Sequence, residues 1–244
     1  MKQVWICVCI VAVFLFGACA RKQEPLELVT EEYPPLTFAQ GDSVTGFGTE
    51  VVSDLMRELR VRYPIRLMKW DEAFERAKTT PNVVIFTLER TPDREDQFHW
   101  IGPLGKNKSH FYVKNDSLTV ISSLEDAKRL NTIATTTGWF SEKNLMENGF
   151  NNLSSTPDPL DGIKAVMEGR ADAIVLTDIT ALNLIKQAGY SSLDLIPAFQ
   201  LMETEYYIGI SKQTRGKTVE KWRQAFEAIS AKGNVENLRA RWML

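Results

Sequence analysis

Past position 19 the chain contains no cysteine. Its three cysteines, Cys7, Cys9 and Cys19, are confined to the first nineteen residues, so no disulfide framework or thiolate metal site can form in the rest. Histidine is scarce too: His99 and His110 are the only two, they stand apart, and no Cys/His cluster has metal-ligand spacing. Charge of one sign is also lacking. The 29 basic and 31 acidic residues leave a formal charge of −2, which excludes the basic excess of a nucleic-acid binder. No internal repeat, low-complexity stretch or heptad run appears, so solenoids and coiled coils are excluded as well. What remains is an ordinary globular composition, 44% apolar and 25% charged over 244 residues, with room for one large or two small domains.

Residues 1–20 read as a targeting segment. Lys2 gives a short basic end, Val4 to Phe16 is apolar but too short to span a bilayer comfortably, and the small residues Gly17 and Ala18 follow. The expectation is export. Ala18-Cys19-Ala20 fits ordinary cleavage, whereas Phe16-Gly17-Ala18-Cys19 is similar to a lipobox, in which Cys19 becomes the lipidated first residue. Lipidation is favoured because it removes the lone thiol of an exported chain, and it would anchor the protein without spanning the membrane.

Most of the specific information lies in Phe86 to Pro103, FTLERTPDREDQFHWIGP. The β-branched run Val83-Val84-Ile85-Phe86 predicts a buried strand, and a charged loop follows at once. Thr91-Pro92 breaks any helix there, leaving Arg90 and Arg94 in a loop at a strand end, where α/β proteins place ligand-binding groups. A guanidinium holds a carboxylate by two hydrogen bonds, which lysine cannot do. The competing reading pairs both arginines with Glu89, Asp93 and Glu95 on the surface.

Strands and helices alternate along the chain. Leu26 to Thr30 and Ile65 to Lys69 read as strands around a helix with an apolar face at Val51, Val52, Leu55, Met56 and Leu59, opened by Thr49 and Glu50. Asp71 suits the cap of a short helix to Ala77. Later come a short crossing strand at His110 to Val113, a helix with a capping box from Ser122 to Glu125, and a strand at 132–135 that runs into Thr136-Thr137-Gly138 before a helix opening near Ser141-Glu142. A helix over Leu160 to Glu168 stops at Gly169, and a strand over Ala171 to Leu176 leads to Thr177-Asp178 and another helix. Tyr206 to Ser211 is a further strand, and two terminal helices cover Val219 to Ser230 and Val235 to Trp242. This order predicts an α/β fold with largely parallel sheets.

Thr91-Pro92-Asp93-Arg94, with Trp100 six positions on and Pro103 three after that, resembles the signature of the family 3 extracellular solute-binding proteins, the bilobed periplasmic receptors of amino-acid uptake. The resemblance extends to Tyr33-Pro34-Pro35-Leu36-Thr37-Phe38 with Gly46 to Glu50, to Trp70-Asp71-Glu72-Ala73, and to Gly169 to Asp178, GRADAIVLTD. It implies a type II periplasmic-binding-protein fold. Lobe 1 would comprise residues 26–110 and 206–244, lobe 2 residues 111–205, with the ligand between them. It implies that Arg94 clasps an α-carboxylate, with Arg90 as the competitor, and that Asp178 neutralises an α-amino group, its rival role being to cap the next helix. Tyr33, Trp70 and Trp100 would wall the apolar part, and Thr136 and Thr137 would hold the carboxylate from the other side. Tyr33 and Phe38 are also open to plain loop packing.

The function so implied is a non-enzymatic, monomeric receptor that hands an amino-acid-like ligand to an ABC permease, with no cofactor, metal or nucleic acid. Two alternatives share the scaffold. One is an enzyme similar to cyclohexadienyl dehydratases, whose general acid would have to be Glu89, Asp93 or His99; the other is a sensing module without a transporter.

Overall fold

The computed structural model describes residues 25–242. The targeting segment and Cys19 lie outside the described residues. Strand β1 (Glu27–Thr30) leads through a loop to the hairpin β2 (Phe38–Gln40) and β3 (Ser43–Thr45), then α1 (Phe47–Glu58), β4 (Ile65–Leu67), α2 (Trp70–Thr79) and β5 (Val83–Glu89). A 3₁₀ turn at Glu95–Gln97 opens β6 (Phe98–Lys114), which is followed by α3 (Leu124–Lys128), β7 (Ile133–Thr136), α4 (Phe140–Glu147), β8 (Leu153–Thr156), α5 (Pro159–Met167), β9 (Ala173–Thr177) and α6 (Asp178–Gln187). The long return strand β10 (Leu195–Ser211) and helices α7 (Gly216–Ala231) and α8 (Asn234–Trp242) complete the described chain.

The sheet runs β4-β1-β5-β10-β6-β9-β7-β8. At one end β4, β1 and β5 are parallel, and β10 closes antiparallel on β5. At the other, β8, β7 and β9 are parallel, and β6 closes antiparallel on β9. Each half is thus a parallel α/β sheet with one antiparallel strand contributed by a crossing segment. The crossing segments are β6 and β10, 17 residues each, paired with one another from Phe98–Ser211 to Lys114–Leu195.

Each half has buried side chains on both faces of its sheet. Leu28, Val84 and Ile208 pack under α1, α7 and α8, while Val29, Ile85 and Phe98 pack on Ala73 and Ala77 of α2. In the other half Ile174 and Leu176 meet Ile163 of α5 and Ile185 of α6, and Ile133 and Val175 meet Ala127 of α3 and Leu145 of α4. A sheet covered on both sides is the expected state of parallel strands.

Several local expectations shift. Helix α1 starts at Phe47 rather than at Thr49. Gly46 caps it at φ 113, and a Cβ there would stand 2.4 Å from the Leu36 carbonyl oxygen, so only glycine lets the first loop lie on the helix start. Ser123, not Ser122, caps α3: its hydroxyl accepts from the Asp126 N–H, and the Asp126 carboxylate accepts from the Ser122 N–H. Asp71 sits inside the first turn of α2, with Lys69 at the cap. The two short crossing strands are single long ones; a register shift opposite Tyr207 absorbs Gly102 to Leu104, where Pro103 has no N–H to donate.

Candidate functional site

The cavity opens where the two halves meet, at the C-terminal ends of their parallel strands, as the open-sheet rule requires. Its empty space is about 410 Å³, counting the part open to solvent. The half built on β4, β1 and β5 contributes Glu31, Tyr33, Trp70, Thr87, Glu89 and Arg94, and the facing half adds residues such as Trp139, Phe140, Ser141 and Thr177. Tyr206 and Ser109 enter from the crossing strands.

Arg94 is the central group. It is 7% exposed, and its one side-chain hydrogen bond among the described residues goes to the Glu89 carbonyl at 3.2 Å. Its guanidinium lies 5.2 Å from the Trp70 ring, 5.1 Å from Phe74 and 5.8 Å from Phe140 of the opposite half. Among the described residues no carboxylate lies within ion-pair distance of it. Burial depresses its pKa, and the fields of Glu89, Asp93 and Glu31 oppose that shift. A buried cation held by aromatic faces with no direct ion-pair partner has the chemistry to receive an anion.

Glu89 ends β5 and ties both crossing strands: its carboxylate accepts from Asn107 Nδ2 and Thr204 Oγ1, each at 2.9 Å. Glu31, at the end of β1, is half-buried and its carboxyl makes no hydrogen bond or ion pair among the described residues. Burial first, then the neighbouring Glu89, pushes its pKa up to about 8, against the pull of Arg94. Burial likewise raises Glu89. Tyr33 Oη shares hydrogen bonds with Thr177 Oγ1 at 3.1 Å and Tyr206 Oη at 3.0 Å, and its ring meets Trp139 edge-on at 5.4 Å. Thr87 takes φ 61 at a bulge of β5 against β10, an uncommon conformation for a β-branched residue, and lines the cavity from there. A second, wider groove continues outward and shares Glu31, Tyr33, Trp70 and Trp139 with the inner cavity, adding Lys69, Asp71, Thr136 and Thr137.

A family model for bacterial extracellular solute-binding proteins, family 3, matches residues 27–244. The chain belongs to that family. Among curated solute-binding relatives it is 20% identical to the L-cystine-binding protein TcyA of Bacillus subtilis, over 92% of this chain and 83% of that protein. It is 22% identical to the arginine-binding extracellular protein ArtP of the same organism, over 93% and 88%, and 24% identical to the L-cystine-binding protein TcyJ of Escherichia coli, over 86% and 79%. Among solved structures, a histidine kinase sensor domain similar to periplasmic binding proteins matches with TM-score 0.81 at 20% identity, covering 90% of this chain and 96% of that one. A mutant ArgBP from T. maritima gives 0.77 at 21%, covering 89% and 95%. The ancestral amino acid-binding protein AncCDT-1, a precursor of cyclohexadienyl dehydratase, gives 0.74 at 20%, covering 89% and 94%. These structures share the fold.

Within this solute-binding fold the residues singled out from sequence separate into groups. Arg94, Tyr33 and Trp70 meet at the inner cavity. Thr136 and Thr137 stand at the outer groove only; the Thr136 hydroxyl is buried without a partner, and the Thr137 N–H is spent on the Thr156 carbonyl at 2.9 Å. The helix start behind them is already occupied, because the buried Glu142 carboxylate accepts from the Gly138 N–H at 2.7 Å. Ser141, after Gly138, is the hydroxyl residue that reaches the inner cavity.

Asp178 lines neither cavity. It is exposed as the first residue of α6, and its carboxylate accepts from its own helix at Ile179 N, 2.9 Å, and from Lys108 N of β6, 3.2 Å. Thr177, one residue earlier, points its hydroxyl inward. Arg90 and Trp100 are also elsewhere: Arg90 forms a two-point pair with Glu95 at 2.7 and 2.5 Å and lies over Trp100 and Tyr207. Phe38 packs edge-on against Trp242 at 6.0 Å. Asp93 pairs with Lys143 at 2.5 Å, and His99 faces the Lys212 carbonyl outside the cavity. Glu31 carries no sequence signal that separates it from Glu32.

Proposed function

We propose that the protein is a non-enzymatic receptor that captures an amino acid between its two lobes and presents it to an ABC permease. In this reading the lobes are residues 26–110 with 206–244, and 111–205. One observation carries the reading: Arg94 is buried at the cavity with no acidic partner, which fits a ligand carboxylate docking on its guanidinium fork. Closure on that carboxylate removes it from water while Tyr33 and Trp139 cover the rest.

The test is a thermal-shift screen of the purified protein against the twenty amino acids and small carboxylates, with Arg94→Ala beside it. A ligand at a hundredfold over its Kd stabilises by about 2.7 kcal/mol. A shift that Arg94→Ala abolishes supports the reading; a shift that ignores Arg94→Ala removes it. Export with lipidation at Cys19 completes the proposal, and Cys19→Ala would then release the protein from the membrane fraction.

One observation favours a second reading, an enzyme on this scaffold: Glu31, its pKa pushed up to about 8 by burial, stands at the cavity wall where a general acid would have to be. Turnover of a cyclohexadienyl substrate, lost in Glu31→Gln, would establish it.

A further inference from the structure

The half that faces Arg94 covers it with one short segment. Trp139, Phe140 and Ser141, at the entry to α4, line the inner cavity from that side. The Trp139 ring meets Tyr33 edge-on at 5.4 Å, and the Phe140 ring lies 5.8 Å from the Arg94 guanidinium. Just before them, a Cβ on Gly138 would stand 3.8 Å from the Trp70 ring. A ligand on Arg94 is therefore covered only while the turn that leads into α4 holds its shape.

The residues of the turn give it little support of their own. Trp139 is the N-cap residue and makes no side-chain cap, and Gly138 takes φ 80, a conformation that glycine enters and leaves at little cost. Glu142, in the first turn of α4, supplies what is missing. Its buried carboxylate accepts from the Gly138 N–H at 2.7 Å, a charge-assisted bond at the positive end of the helix. A glutamate at this position of a capping box reaches back to the N–H of the N-cap residue; here it reaches one residue further. The N–H groups on either side are taken as well, that of Thr137 by the Thr156 carbonyl at 2.9 Å and that of Trp139 by the Thr136 carbonyl at 3.2 Å. Three consecutive N–H groups are thus spent within their own half, and an incoming carboxylate would meet the Glu142 carboxylate there instead.

We infer that Glu142 is a positioning residue for ligand capture. Its carboxylate occupies the start of α4, so the ligand carboxylate is held from the Arg94 side, and the opposite half retains the ligand by covering it with Trp139 and Phe140. Glu142 acts through the turn and does not touch the ligand. The inference rests on the amino-acid receptor reading and deepens it.

The experiment is stopped-flow tryptophan fluorescence of the purified protein, Glu142→Ala and Glu142→Gln, with the twenty amino acids as probes. The ligand meets Arg94 first and is covered afterwards. The expected result for Glu142→Ala is therefore an association rate within about twofold of wild type and dissociation about tenfold faster. Glutamine keeps an acceptor for the Gly138 N–H, so Glu142→Gln returns the dissociation rate to within about threefold of wild type. A merely structural role would lower the melting temperature of Glu142→Ala and leave the dissociation rate of its folded molecules unchanged; that result overturns the inference and leaves the receptor reading standing. No amino acid bound by the wild type overturns both. Hydrogen exchange at the Gly138 amide of the wild type keeps the test decisive if Glu142→Ala does not fold. Protection there before ligand is added, and to the same extent afterwards, supports the inference. Protection that appears only with ligand assigns this N–H to the ligand and overturns it.

Discussion

Tyr33 and Thr177 meet hydroxyl to hydroxyl at 3.1 Å across the mouth of the cleft, one from the loop after β1 and the other from the end of β9. Tyr206 of the crossing strand joins the same hydroxyl of Tyr33 at 3.0 Å, and Thr177 continues to Thr180 at 2.8 Å. The chain of hydroxyls links both halves to the crossing segment without using the ligand. Tyr33→Phe removes the link and keeps the ring against Trp139. A hydrogen bond is worth about 0.5–1.5 kcal/mol net, so ligand affinity falls about two- to tenfold. Small-angle scattering of the ligand-free variant shows a larger radius of gyration than wild type; an unchanged radius would mean that the hydroxyls do not hold the closed form.

Arg94 and Arg90 stand four residues apart and predict opposite outcomes. Arg94→Lys keeps a charge but loses the planar fork and its contacts with Trp70 and Phe74, so ligand affinity drops by at least tenfold with the fold retained. Arg90→Ala breaks the pair with Glu95 and uncovers Trp100 and Tyr207. Because that pair is largely exposed, its loss costs about 0.2–1 kcal/mol of stability and leaves affinity unchanged. Titration of both variants with the same ligand decides between them.

The contrast between these arginines shows what sequence could and could not supply. The strand–loop pattern around Thr91-Pro92 brings both to a strand end, but which side chain turns inward depends on the loop closing against Trp70 and Phe74, contacts made far along the chain. Asp178 illustrates the same limit: its position at the end of β9 was legible, while its carboxylate turned outward to the helix start and to Lys108. The alternation of strands and helices was readable because buried parallel strands are continuous apolar runs. The length of β6 and β10 was not. The middle of β6 carries Gly105, Lys106, Asn107 and Lys108 and that of β10 carries Glu203, Thr204 and Glu205, so no apolar alternation marks them. Ser109 reaches the cavity from such a portion of β6, one residue before the strand that the sequence marks at His110.

Lys143 of α4 and Asp93 of the arginine loop form a pair across the cleft at 2.5 Å, with side chains 46% and 39% exposed. At that exposure the pair contributes about 0.2–1 kcal/mol and is screened by salt. Lys143→Ala leaves the melting temperature nearly unchanged. It weakens ligand binding a few-fold at low ionic strength, and the difference from wild type vanishes in 1 M salt. An affinity loss of the same size at both ionic strengths would assign Lys143 a role other than charge pairing.

Glu31 makes the empty receptor less stable as the pH rises. Its carboxyl ionises near its ordinary value in the unfolded chain but is pushed up to about 8 in the folded one. Between those values the folded state binds the extra proton, so stability is greatest below about pH 4.5 and declines through about pH 8. Glu31→Gln removes this slope. The variant should match wild type at pH 5 and melt measurably higher at pH 8, where the Glu31 carboxyl of the wild type ionises at a cost that glutamine does not carry. Thermal melts across pH 5–8 without ligand measure it directly. If the two proteins melt together at every pH, the Glu31 carboxyl is solvated in the empty protein and its charge costs nothing there.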